Sequence, residues 1–239
     1  MKLFIPCAAL VAATLSHAGI ATTGPVGADS ARIDEAVFSR LKKLGIEPAD
    51  PAGDHVFVRR VYLDVIGKLP TRAEARQFLE NPDEGKREAL IERLLERKEF
   101  ADYQAMKWSD LLRVKSEFPI NLWPNAAQAY HQWIWTSVRE NKPYDRFVRE
   151  LLCANGSNFR VPPVNFYRAL QSGRTPESIA RAVALTFMGV RADRWPEKRL
   201  DGMAAFFSQI GYKRTAEWKE EIVYHDPDKT APEPAAVFP

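Results

Sequence analysis

Cysteine is nearly absent. The 239 residues hold two, Cys7 and Cys153, which excludes a disulfide scaffold and any Cys-x-x-Cys centre: no thioredoxin-like pair, no zinc ribbon, no c-type haem attachment. Histidine is scarce too, with four well-separated copies. No His-Glu-x-x-His, Walker loop or Gly-x-Ser-x-Gly elbow occurs. No apolar run reaches the roughly 20 residues that span a bilayer, which excludes a polytopic membrane protein. A charge surplus of one sign is also missing. The 34 basic and 31 acidic residues leave a formal net charge of +3, which is not the basic surplus of a dedicated nucleic-acid binder.

What is present is an ordinary globular mixture, 46% hydrophobic and 27% charged, so wholesale disorder is excluded. Residues 1–18 read as a signal peptide. Lys2 is the positive end, Leu3 to Leu15 the apolar stretch, and Ser16-His17-Ala18 the cleavage site. Cleavage after Ala18 predicts a periplasmic or secreted chain with one cysteine, Cys153, and three histidines, His55, His131 and His225. Neither a metal site nor a cofactor is expected from so few ligands. Cys153 follows Leu151-Leu152 in a helical pattern and is expected to be a buried thiol.

Residues 19–29 read as a flexible leader and 30–212 as one helical domain. Residues 213–239 read as an extended segment leading into a Pro-rich, linker-like tail. Ile33, Val37, Leu41 and Leu44 share a helix face that Gly45 ends. Asp54 is placed to cap a second helix with the stripe Val58, Val61, Tyr62 and Val65, closed by Gly67. Thr71 to Glu74 is a capping box, and Leu90, Ile91, Leu94 and Leu95 mark a fourth helix.

Pro124 suits the first turn of a helix over 124–141, whose broad apolar arc (Tyr130, Trp133, Ile134, Trp135) predicts contacts on two sides. Tyr144 to Leu152 forms the next. Thr175-Pro176-Glu177 opens a helix apolar nearly all round, expected at the centre of a core. Leu200, Met203, Phe207 and Ile210 predict a last amphipathic helix, and only Glu221 to Tyr224 hints at a strand. The expected fold is all-α, with roughly eight or more helices.

Two segments could carry recognition. Gly156 to Arg168 mixes turn residues with Phe159, Arg160, Phe166 and Tyr167, a composition suited to a binding loop or to a structural loop plugged into the core. Trp123, Trp133 and Trp135 can stack on sugars, although helical spacing favours core packing. The many carboxylates sit mostly on polar helix faces beside Lys and Arg, a solvated arrangement. Asn155-Gly156-Ser157 is a glycosylation sequon, relevant only in a glycosylating host.

Four blocks in order carry a family resemblance. Phe57 to Thr71 resembles the opening signature of the second planctomycete-type secreted cytochrome domain, PSCyt-two, a domain of unknown function. Lys107 to Arg113, Asn141 to Val148 and Gly202 to Phe207 are similar to its later blocks. The resemblance implies a secreted protein of planctomycete or verrucomicrobial type, tied to cytochromes or polysaccharide breakdown. It also implies a Cys-x-x-Cys-His motif between a Phe-x-Gly turn and the Ala-Ala-Phe-Phe helix, as in many relatives. Here Phe187-Met188-Gly189-Val190 runs straight into Arg191-Ala192-Asp193-Arg194-Trp195. Covalent haem needs both thiols and the histidine, so none is expected. Relatives usually continue into a second domain, whereas this chain ends at Phe238-Pro239.

The leading expectation is a haem-less module that scaffolds or docks a protein partner in an envelope assembly. Its contacts would come from Asn158, Arg160, Asn165, Tyr167 and Arg168 on the loop, and from Arg194 and Trp195 in the replaced segment. Alanine at Arg160 and Tyr167 is expected to weaken capture without lowering stability. A secreted glycan hydrolase would instead need a concave pocket with two unpaired carboxylates near Trp123 or Trp135. A non-covalent haem binder would need His131 and Met188 in one cavity.

Overall fold

The computed structural model describes residues 26–116, 123–170 and 173–232. The signal peptide with its Ala18 cleavage site, most of the leader, and Pro234 and Pro239 of the tail lie outside the described residues. The chain divides into two units, Met1–Ala52 and Gly53–Pro239. In the first, α1 (Val26–Lys43) exposes Ile33, Val37 and Phe38, and the chain turns at Gly45 with φ 67.

The second unit begins with α2 (Asp54–Ile66), α3 (Arg72–Glu80) and α4 (Lys86–Leu95). Gly53, not Asp54, is the N-cap of α2. Asp54 sits one position inside the helix because Lys86 and Arg87 draw its carboxylate, each at 2.7 Å. Hydrogen bonds from these two hold that carboxyl below its usual range. The capping box of α3 forms as the sequence predicts, with Glu74 N–H donating to Thr71 Oγ1 and Thr71 N–H donating to Glu74 Oε2. Gly67 caps α2 in the left-handed region, φ 68, and a Cβ there would meet Tyr103 at 2.5 Å. Val58, Val61, Tyr62 and Ile66 of α2 bury against Phe78 of α3 and Leu90 and Leu94 of α4 in a small core of their own.

The larger core is built by α5 (Lys98–Leu111), α6 (Pro124–Arg139), α7 (Tyr144–Leu152), α8 (Asn165–Ala169), α9 (Pro176–Met188) and α10 (Glu197–Ala204). Between the two cores, α5 packs on both α2 and α6. The broad arc of α6 is used on two sides. Tyr130, Ile134 and Ser137 are buried, Trp133 stacks on Phe147 at 4.9 Å, and Trp135 Nε1 donates to Asp102 Oδ1 at 2.7 Å. Ile179, Ala180, Val183 and Ala184 of α9 are buried, but Leu185 is 54% exposed, so α9 is central along one flank rather than enclosed.

The described residues are mostly helical, with ten α-helices, but they are not all-α. Three antiparallel strands, β1 (Gly156–Ser157), β2 (Ile210–Arg214) and β3 (Glu221–His225), form a sheet in the order β1-β3-β2. The expected last helix is therefore shorter than its apolar spacing suggests. It ends at Ala204, tightens into a 3-10 turn over Ala205–Phe207, and Ile210 enters β2. The alternation that buries Glu221 and Val223 but not Ile222 has the period of a half-buried strand. Cys153 is a second correction. It is exposed, because α7 stops at Leu152 and the chain turns at Cys153 away from the face that buries Leu151.

Candidate functional site

The loop after α7 lies against the sheet, and buried amides hold it there. Asn158 N–H donates to Glu221 O at 3.1 Å. Its Oδ1 accepts from Glu221 N–H at 2.9 Å, and its Nδ2 donates to Lys219 O at 3.4 Å. One side chain thus extends the β1–β3 pairing where the ladder ends. Asn165 Nδ2 donates to Asn158 O at 2.9 Å and Pro162 O at 3.1 Å, closing the loop across its 3-10 turn at Pro162–Val164. Asn158 and Asn165 are both essentially inaccessible, and these bonds offset the cost of that burial, although Asn165 Oδ1 has no partner among the described residues.

Tyr167 faces inward as well. Its hydroxyl donates to Leu152 O at 2.6 Å, and burial pushes the phenol well above its ordinary range. Phe166 packs on Phe187 at 5.5 Å. Of the loop residues singled out in the sequence, Asn158, Asn165 and Tyr167 therefore hold the loop from behind, and Arg160 is exposed on its outer side.

Arg168 turns toward the sheet. Its Nη1 donates to Glu221 Oε2 at 2.9 Å, and Arg174 grips both oxygens of the same carboxylate. Glu221 is 5% exposed, and the Arg168 side chain 12%. Two guanidiniums on one buried carboxylate satisfy its lone pairs and leave a net positive charge. Arg168 Nε has no partner among the described residues. Arg174 also lies 4.4 Å over the ring of Tyr212, whose hydroxyl is raised to about 12, chiefly by burial.

This triad floors a cavity of about 450 Å³ walled by Arg214, Thr215, Glu217 and Trp218. Trp218 is 67% exposed and meets Trp123 edge-on at 5.1 Å, and Phe159 extends the cluster at 6.3 Å from Trp123. Lys219 Nζ sits 4.6 Å from the Trp218 ring centre, a cation–π contact that orients both groups. Large aromatics this exposed beside cations are more often found at interaction surfaces than on plain solvated faces. The signal that could have found Trp218 is its place beside Lys219 in a short connection between two strand-like segments. The Arg174–Glu221 pair spans 47 residues, a separation no local pattern encodes.

Two of the three carboxylates of this cavity are engaged, while among the described residues Glu217 bonds only through its backbone. Glu221 is ion-paired, and Glu220 accepts from the Ser157 and Thr215 hydroxyls, which lower its pKa. A glycosidase acid needs the opposite shift. Near Trp135, Asp102 accepts the indole N–H. His131 is exposed on α6 while Met188 packs against the larger core, and the two do not share the wall of any cavity described here. Among the described residues no group of three or more His, Cys, Asp or Glu side chains is placed to hold a metal.

The replaced segment forms a 3-10 turn over Ala192–Arg194. Trp195 is half-buried against the larger core beneath the Arg199 guanidinium, 4.2 Å over its ring, and Arg194 is exposed. The loop surface and this turn are thus separate features of one unit, carried by different elements.

Taken together, these features define a mostly helical module with a small three-stranded sheet. The chain belongs to the PSCyt2 family, a protein of unknown function (DUF1549), which matches residues 32–212. Two family-like blocks meet around a cavity of about 210 Å³, where Trp108 lies 5.1 Å from Phe147 and 6.1 Å from Tyr144. No curated protein and no solved structure matches the chain. Among the described residues no helix is long and apolar enough to cross a membrane.

Proposed function

We propose that the chain is an exported, haem-less PSCyt2 module that docks a protein partner in an envelope assembly. The docking surface is the outer side of the Gly156–Arg168 loop together with the Trp123–Trp218 pair. The observation that carries this reading is Trp218, exposed at 67% yet fixed edge-on against Trp123 under Lys219. An aromatic anchor pre-positioned in this way loses little rotamer entropy on binding. Arg160 and Arg214 border it and give the surface a positive rim, which suits an acidic partner face. The Glu221 carboxylate is neutralised from behind by two arginines, which supports binding over catalysis.

The test is capture from a detergent-solubilised envelope fraction, with wild-type chain and an Arg160→Ala/Trp218→Ala variant as baits. A defined partner retained by the wild type and lost by the variant, with identical melting temperatures, supports the proposal. Equal capture by both sinks it. A glycan retained in place of a protein would transfer the surface to saccharide binding.

A further inference from the structure

A second cavity, on the other flank of α9, carries a different chemistry. Its volume is about 260 Å³, and Arg113, Arg181 and Arg191 stand in its wall. They come from three separate places: the end of α5, the middle of α9, and the segment between α9 and α10. Arg113 is one of few non-glycine residues at positive φ, 58. That left-handed residue closes the end of α5, where Val114 N–H donates to Ser109 O at 2.8 Å, and Arg113 stands in the cavity wall immediately after buried Leu112. Arg181 lies one turn beyond Ser178 on α9 and both line the cavity, with the Ser178 hydroxyl accepting from Thr175 Oγ1 at 3.1 Å.

The balancing negative charge is small. Asp193 is the acidic residue of the wall, 3.7 Å from Arg191, with both side chains more than half exposed, a weak pairing. Among the described residues Arg113 and Arg181 have no side-chain hydrogen bond or ion pair. The inner wall is apolar, formed by buried Leu170 and Ala192. The three arginines are solvent-exposed and line one cavity with an apolar inner wall, and guanidiniums match the planar, multi-oxygen geometry of an oxyanion.

We propose that this cavity binds a small oxyanion, either free or as the phosphate, sulfate or carboxylate group of a larger ligand. The inference is independent of the docking surface, which lies on the loop and the β2–β3 connection. Three cations and one carboxylate leave a surplus of two positive charges, enough for a dianion. The volume accommodates a tetrahedral anion with a short organic extension.

The experiment is isothermal titration of the full-length chain with inorganic phosphate, inorganic sulfate and succinate, each at matched ionic strength, with sodium chloride as the screening control. Saturable heat is expected for at least one oxyanion. An Arg113→Gly/Arg181→Ala variant should weaken it about tenfold or more, since two charge-assisted contacts are removed. Arg113→Gly suits the positive φ, so the fold should survive, and an unchanged circular dichroism spectrum checks this. Phosphate or sulfate heat without succinate heat assigns a tetrahedral anion, and succinate alone assigns a carboxylate. No saturable heat, heat reproduced by chloride, or equal affinity in the variant overturns the proposal. Arg160→Ala/Trp218→Ala should leave the heat unchanged, which separates this site from the docking surface.

Discussion

Arg174 grips Glu221 through two parallel hydrogen bonds, Nη1 to Oε1 and Nη2 to Oε2, each 2.9 Å. This fork ties the approach to α9 to the first residue of β3, and Arg168 adds a third bond from the end of α8. Three distant pieces of chain are thereby pinned at one carboxylate. Removing the acid leaves two guanidiniums facing each other, one of them nearly buried.

Glu221→Gln should cost about 3 kcal/mol, the lower part of the range for breaking a buried pair, because Arg174 is open enough to regain water. Urea unfolding with an unchanged m-value would measure it. A loss below about 1 kcal/mol would mean that the triad is hydrated and does not pin the sheet.

The acid limb of the stability profile should contain a contribution from Arg97. Its Nη2 donates to Glu99 Oε1 at 2.6 Å, and this bond is the main cause that holds the Glu99 carboxyl at about 2 instead of 4.5. A depressed carboxylate stabilises the fold above its unfolded pKa and loses that effect as pH falls through the folded value. The window is therefore from about 4.5 down to about 2. Arg97→Met should flatten the pH dependence of stability in that window. A slope equal to wild type there would contradict the assignment. Glu74, which Arg97 Nη1 reaches at 2.7 Å, is also depressed and belongs to the same limb.

Two helix-ending glycines should respond unequally to alanine. Gly67 and Gly189 have nearly the same φ, 68 and 64. A Cβ at Gly67 would lie 2.5 Å from the Tyr103 ring, whereas one at Gly189 meets nothing within 4 Å. Gly189→Ala should cost about 1 kcal/mol, the left-handed penalty alone. Gly67→Ala should cost clearly more. Equal losses in guanidinium titrations would show that Tyr103 moves aside freely.

Loop residues should separate by role. Tyr167→Phe removes the bond to Leu152 O and should cost about 1 kcal/mol, while Arg160→Ala should leave stability within about 0.5 kcal/mol of wild type. The double alanine variant at Arg160 and Tyr167 is consequently a poor probe of binding, since its Tyr167 half disturbs the core. Differential scanning calorimetry of the single variants makes the distinction. A Tyr167→Phe chain as stable as wild type would return Tyr167 to the set of candidate contacts.

Local signals were legible wherever the physics was local. The Thr71–Glu74 capping box, Thr175 as N-cap, Gly67 as the stop of α2, and the limits of α7 all depend on residues within one or two turns. Two of the failures have non-local causes and the third, at Cys153, lies at a helix end. Asp54 fits a cap, but Lys86 and Arg87 engage it from α4. Ile210 continues a helical spacing, but pairing with β3 draws it into a strand. Cys153 continues an apolar run, but the helix stops one residue earlier.

The site divides the same way. Composition alone marked Gly156 to Arg168 as loop-like and mixed in character, yet which of its side chains face outward depends on Asn158 and Asn165 finding backbone partners. The sequence by itself determined most of the helical segments, the caps at Thr71 and Thr175, the missing haem-attachment thiols and the family, because each rests on short-range spacing or residue identity. Only the tertiary structure decided that Arg174 and Arg168 meet Glu221, that Trp218 stands against Trp123, and that three arginines share one cavity. Those contacts join residues tens of positions apart, and the chain closes such loops only when the whole core packs around them.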